Sequence, residues 1–122
     1  MMKITGFLHA SLLVSDLGKA RAFYEGVLGL LPSPNRPAME FEGVWYEIGM
    51  QQIHLLALPN PDPVDDRPAH GGRDRHIALA VASVEQAMLA MDAAGVPYTQ
   101  SRSGRAALFC RDPDGNAVEL IQ

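Results

Sequence analysis

Three of the four histidines in this 122-residue chain stand where chemistry could use them. His9 and His76 each lead a short apolar run, Leu8-His9-Ala10-Ser11-Leu12-Leu13-Val14 and Arg75-His76-Ile77-Ala78-Leu79-Ala80-Val81. Toward the end of each half lies a second polar residue in an apolar setting, His54 in Gln52-Ile53-His54-Leu55-Leu56 and Glu119 in Ala117-Val118-Glu119-Leu120-Ile121. Nearly the same offset separates His9 from His76 and His54 from Glu119. Three imidazoles and one carboxylate suit a single borderline divalent ion such as Zn, Ni, Fe(II) or Mn. His9, His76 and Glu119 alone already make the two-histidine, one-carboxylate set that leaves positions open for substrate or oxygen. A lone strand histidine is more often packed or solvated than a ligand. Repeat-related placement of all four is what argues for a site, and only His70 falls outside it.

Such residues need a duplicated scaffold to place them, and the chain reads as one. Residues 7–14 alternate as a strand, Ser15-Asp16 supplies a cap, and a helix is expected over 17–28 with Leu17, Ala20, Phe23, Tyr24, Val27 and Leu28 as its apolar stripe. A short strand near 30–31 follows, then a hairpin formed by 43–48 and 52–58 across Gly49-Met50-Gln51. The second half repeats this order. A strand over 76–81 precedes the capping box Ser83-Val84-Glu85-Gln86, a helix closed by Gly95 and Pro97, and strands near 98–101, 105–110 and 117–121. Asp112-Pro113-Asp114-Gly115 has the residues of a type I turn. The expectation is an α+β fold of paired β-α-β-β-β modules, 4–58 and 76–122, in one domain spanning 1–122. Residues 59–75, rich in proline, aspartate and glycine, form a long linker that bridges the modules or edges a site, and Gly71-Gly72 reads as a flexible loop within it.

Side-chain alternation fixes the faces. Ile53, Leu55, Ile77, Leu79, Val81, Val118 and Leu120 must share the face covered by helices, so His9, His54, His76 and Glu119 project from the other. Trp45 and Tyr46 are neighbours on one strand, so one faces the helices and one the open side. A ring on the open side could wall an apolar substrate. Gln52 shares the parity of His54 and is a candidate to hydrogen-bond it. Cys110 has no base beside it and reads as a small packed hydrophobe. Arg73, Arg75, Arg102 and Arg105 crowd the second half, and Arg75 and Arg105 are the candidates to meet an anionic substrate.

A net charge of −4 gives no reason to expect nucleic acid or an anionic membrane surface as partner. A single cysteine excludes an internal disulfide. With neither a leader pattern nor a spanning apolar run, a cytoplasmic protein is expected.

At these residues the sequence resembles the vicinal-oxygen-chelate superfamily, the group of glyoxalase I, bleomycin-resistance proteins, fosfomycin-resistance enzymes and extradiol dioxygenases. The resemblance rests on the strand with His9, on Asp16-Leu17 leading to Phe23-Tyr24 and Val27-Leu28-Gly29-Leu30, on Arg75-His76-Ile77-Ala78-Leu79, and on Asp112-Pro113-Asp114-Gly115-Asn116 running to Glu119-Leu120-Ile121. It implies a curved mixed-sheet cup with helices on its outer face, around one metal held by His9, His54, His76 and Glu119. It also implies a homodimer, with sites sometimes built from two chains. The implied activity is that of a lyase, isomerase or dioxygenase on a small molecule whose adjacent oxygens chelate the metal, with Glu119 able to serve as base. Glyoxalase I usually carries a carboxylate where His54 stands, a departure that points away from glutathione-hemithioacetal chemistry. The alternative is a drug- or metabolite-sequestering protein that binds without turnover.

Overall fold

The alternating runs fold as strands and the capped runs as helices, in the order the sequence dictates. The computed structural model describes residues 1–122. Strand β1 (His9–Leu13) leads to helix α1 (Leu17–Arg21), whose first turn is capped by the Asp16 carboxylate accepting from the Lys19 N–H at 3.0 Å. The expected helix over 17–28 is not uniform. After Arg21 it widens into a π-helical segment, Ala22–Val27, which turns Phe23 and Tyr24 inward. Gly29, at φ 74°, ends it in the left-handed region that glycine favours. Strands β2 (Gly43–Ile48) and β3 (Gln51–Leu56) form the hairpin, with Gly49 at φ 58° in its turn.

The second half runs β4 (His76–Ala80), α2 (Val84–Ala94), β5 (Tyr98–Gln100), β6 (Ala107–Arg111) and β7 (Ala117–Ile121). The Ser83 hydroxyl accepts from the Gln86 N–H at 3.2 Å, and Gly95 closes α2. Two mixed sheets result, ordered β1-β3-β2 and β4-β7-β6-β5. In each, the first strand runs parallel to the last and the remaining pairs are antiparallel.

The duplication is therefore present but unequal. The strand expected near 30–31 shrinks to a single bridge between Pro32 and Tyr46, beside one bond from the Ser33 N–H to the Trp45 carbonyl at 2.7 Å. Pro32 and Pro34 have no N–H to continue the ladder, so the first sheet has three strands where the second has four. Arg105, expected to open a strand, lies in the loop before β6.

One apolar cluster fills the covered faces of both sheets. Val44, Tyr46, Ile53 and Leu55 from the first meet Leu108, Cys110, Val118 and Leu120 from the second, with Tyr24 and Met91 from the helical segments between them. Burying each large side chain contributes about 1.5–3 kcal/mol. Cys110 sits inside this cluster as expected, and burial pushes its thiol up to about 12. The 112–116 turn splices the halves. The Tyr24 hydroxyl donates to Asp112 Oδ2 at 2.8 Å, the Asn116 side chain donates to the Leu13 carbonyl at 3.1 Å, and the Ser15 N–H donates to Asp114 Oδ1 at 2.9 Å. Burial pushes the Asp112 carboxyl up, and its donors from Asn116, Tyr24 and Asp114 partly offset that cost.

The linker packs onto the open face of the second sheet. Its Asp74 carboxylate takes Arg111 at 2.7 Å and Arg67 at 3.1 Å. Burial works to raise the Asp74 carboxyl, yet these guanidiniums and the Arg75 N–H outweigh it and hold it below its ordinary value. Gly71-Gly72 is no flexible loop. It forms a 3-10 turn, Gly71–Arg73, pressed so closely on the sheet that a Cβ at Gly71 would lie 3.2 Å from the Phe109 Cβ, and one at Gly72 would lie 2.8 Å from His70 Nε2.

Candidate metal and substrate site

Strand register places the four candidates on the open faces. Trp45 and Ser11 flank His54 across β2 and β1, and Ala78 and Phe109 flank Glu119 across β4 and β6. Both sheets therefore turn His54 and Glu119 away from Ile53, Leu55, Val118 and Leu120, as alternation required. His54 and Glu119 are nonetheless 7% and 3% exposed, because neighbouring side chains cover them.

In the first sheet the cover is aromatic. His54 lies between Trp45, 4.0 Å away and 3° from parallel, and His9, 4.0 Å away and 16° from parallel. Trp45 thus faces the open side, while Tyr46 is fully buried and donates its hydroxyl to Glu25 at 2.8 Å. His54 Nε2–H donates to Gln52 Oε1 at 2.7 Å, so Nδ1 keeps its lone pair. Burial, with smaller contributions from His9 and Arg36, lowers the His54 pKa and keeps the ring neutral, the form a metal needs. Trp45, His54 and His9 line an open cavity of ≈ 720 Å³ with Met39 and Met50 at its rim.

In the second sheet the cover is ionic. Glu119 Oε2 accepts from Arg105 Nη2 at 3.1 Å, and Oε1 lies 3.4 Å from His76 Nε2. His76 Nδ1–H donates to the Asp74 carbonyl at 2.8 Å, which fixes the ring with Nε2 facing Glu119. Phe109 meets the His76 ring edge to face, 5.2 Å away at 89°. Arg75 pairs with Asp62 at 2.9 Å and, with His9 and His76, lines a cleft of ≈ 470 Å³ beside β1.

Within one chain the four candidates form two pairs, His9 with His54 and His76 with Glu119. No three His, Cys, Asp or Glu side chains gather closely enough to hold one metal ion. Sequence reasoning missed Phe109, Asp74 and His70. Phe109 was reachable by parity, since it alternates with Leu108 and Cys110. Asp74 and His70 depend on where the linker lands, which no local pattern encodes.

Residues 6–120 match the family model of the Glyoxalase/Bleomycin resistance protein/Dioxygenase superfamily. The chain is 28% identical to "Glyoxylase I 4" of Arabidopsis thaliana, over 98% of this chain and 71% of that protein. It is 30% identical to the lactoylglutathione lyase of Haemophilus influenzae, over 94% of this chain and 90% of the enzyme. Its fold matches the fosfomycin resistance protein FosX of Listeria monocytogenes with a TM-score of 0.76 at 22% identity, covering 98% of this chain and 91% of that one. With two mixed open sheets, helices on their covered faces and a match across nearly its whole length, the chain belongs to the Glyoxalase/Bleomycin resistance protein/Dioxygenase superfamily.

Proposed function

We propose that the protein is a metal-dependent enzyme acting on a small molecule with vicinal oxygens. Its metal is held by His9 and His54 of one chain together with His76 and Glu119 of a second copy, in a homodimer. The observation that carries this reading is the division of the donor set into two pairs. Each pair includes the leading residue of β1 or β4, strands that hydrogen-bond to a neighbour on one side only. Beside β1, residues 1–8 leave Met1, Met2, Ile4, Phe7 and Leu8 exposed, apolar surface of the kind self-association buries. The unit is one domain, with modules 4–58 and 76–122 joined by 59–75, working in the cytoplasm.

The donor chemistry fits a divalent transition ion. His76 Nε2 and Glu119 Oε1, 3.4 Å apart, can both reach one ion at ordinary bond lengths of about 2.0–2.2 Å. Each of His54 and His76 has one ring nitrogen fixed by a hydrogen bond and the other free. Bound there, Zn, Ni, Fe(II) or Mn supplies Lewis acidity toward two adjacent substrate oxygens. Glu119 takes the catalytic role, its carboxylate accepting a proton from the substrate. Arg105 and Arg75 bring positive charge to the substrate's anionic oxygens, and Trp45 walls its apolar part. The reaction is of lyase, isomerase or dioxygenase type; the lactoylglutathione lyases among the relatives favour the first, on a substrate other than the glutathione hemithioacetal that His54 counts against.

The test is complementation. A His9→Ala/His54→Ala chain and a His76→Ala/Glu119→Gln chain should each fail to hold metal. Co-expressed with two tags, about half of the randomly paired dimers are mixed and carry one intact site, restoring about a quarter of the wild-type metal content. No recovery in purified mixed dimers would remove the shared site. A wild type that takes up none of the four metals would leave sequestration without turnover as the reading.

A further inference from the structure

His70 is the one histidine outside the duplicated pattern, and the fold has nevertheless built a place for it. It is 8% exposed and lies on the open face of the second sheet. Its Nδ1 is 2.7 Å from the Thr99 hydroxyl on β5, and its ring meets Phe109 of β6 edge to face at 4.9 Å. Phe109 touches His76 on its other side at 5.2 Å, so one aromatic ring separates His70 from the candidate metal ligands. His70 Nε2 makes no hydrogen bond within the protein, and the space in front of it is kept clear by Gly72. Any side chain there would begin 2.8 Å from that nitrogen and 3.2 Å from the tip of Phe109. The backbone at Gly72 is not in the left-handed region, so what the position requires of glycine is the empty space.

Two cations flank this notch. Arg73 belongs to the 3-10 turn that follows His70, and Arg102 lies in the hairpin loop after Thr99. Both are exposed, and neither makes an ion pair or a side-chain hydrogen bond, unlike Arg67, Arg75, Arg105 and Arg111 around them. Both act on His70: burial first, then the charges of Arg102 and Arg73, lower its pKa and keep the ring neutral. Two unpaired guanidiniums around a neutral imidazole with a clear nitrogen form a receptor for an oxyanion.

We propose that the notch formed by His70 Nε2, Gly72, Arg73 and Arg102 is a second subsite that receives an anionic oxo-acid group of the substrate, a carboxylate or a phosphoryl group, with Phe109 as the floor between that group and the metal. This assignment rests on the reading of the open face as the substrate cup. The subsite uses the tautomer in which the Thr99 hydroxyl donates to Nδ1, so that the proton on Nε2 points to the bound oxygen and the two guanidiniums supply the charge. The substrate class narrows to small molecules carrying vicinal oxygens at one end and an acidic group at the other.

The test titrates inorganic phosphate, and separately acetate, into the full-length protein while the His70 ring resonances are followed by NMR. Zinc affinity is measured in a separate sample. Saturable binding should shift the His70 signals in the wild type. Arg73→Gln/Arg102→Gln should weaken that binding at least about tenfold, as loss of two charge-assisted partners requires. Gly72→Ala should abolish it by filling the notch, with zinc affinity unchanged in both variants. Because the two arginines are exposed, their double variant folds even if Gly72→Ala does not. No saturable shift of His70, or equal affinity in the double variant, overturns the subsite while leaving the metal reading untouched. Variant-sensitive anion binding in a protein that takes no zinc supports the subsite as an anion site and removes only the metal reading.

Discussion

The two halves of the chain put ligand candidates at equivalent strand positions and surround them in opposite ways. In the first half, His54 is held by rings, Trp45 on one face and His9 on the other, with one neutral hydrogen bond to Gln52. In the second, Glu119 is held by charge, with Arg105 and His76 at its two oxygens and the Asp74 carbonyl orienting His76. The first half therefore offers neutral donors in an apolar wall, and the second offers the charge. Duplication has kept the positions and divided the labour: in the proposed site an ion would draw on both halves, but its electrostatic attraction would come from one.

The sharpest way to break this comparison is to remove one donor from each half. Glu119→Gln should weaken zinc binding by more than the roughly 10–100-fold typical of losing an orienting partner. His54→Ala should cost less, because no charge is lost. Zinc affinities by competition with a chelator check both. Equal losses would mean that the halves contribute alike.

The splice between the halves comes next. Tyr24→Phe removes a donor from the buried Asp112 carboxylate and should cost about 1–3 kcal/mol of stability, measured by urea unfolding. A loss well below that range would show that Asn116 and Asp114 satisfy the carboxylate without Tyr24.

A smaller effect sharpens the picture of the aromatic half. Gln52→Ala frees the His54 ring to change tautomer and should weaken zinc binding about tenfold while leaving the fold intact. Trp45→Phe keeps a ring over His54 and should leave zinc affinity unchanged.

How far all this was legible in the sequence follows from what each feature depends on. Alternation alone separated His54 and Glu119 from Ile53 and Val118, because a strand leaves each residue only two faces. It also paired Gln52 with His54. The short first sheet was less legible: Leu30-Leu31 looks like a strand, and only the lack of N–H groups at Pro32 and Pro34 reduces it to one bridge. The ring stack needs the lateral register of three strands, and the roles of Asp74 and His70 need the landing place of a linker distant in sequence. Gly71-Gly72 illustrates the limit. A glycine pair reads the same whether it provides freedom or clearance, and here the neighbouring His70 and Phe109 make it clearance.

Arg105 carries the smallest expected change and the most informative sign. Its side chain is 56% exposed but that of Glu119 only 4%, so solvent screens the pair from one side and it contributes about 1 kcal/mol to stability. Arg105→Gln should therefore lower the unfolding midpoint only slightly. Toward metal its effect is opposite to that of a ligand. The guanidinium sits 3.1 Å from the carboxylate oxygen that a dication would share, and it repels that dication. Removing it should tighten zinc binding several-fold at low salt. The gain should shrink in roughly 1 M salt, where the screening length falls to about 3 Å. If the substrate is anionic, as proposed, the same variant should raise its KM, because one charge would then both oppose the metal and attract the substrate. If Arg105→Gln weakens zinc binding instead, Arg105 holds Glu119 in position, and the ionic half of the site is built by its arginine rather than merely neutralised by it.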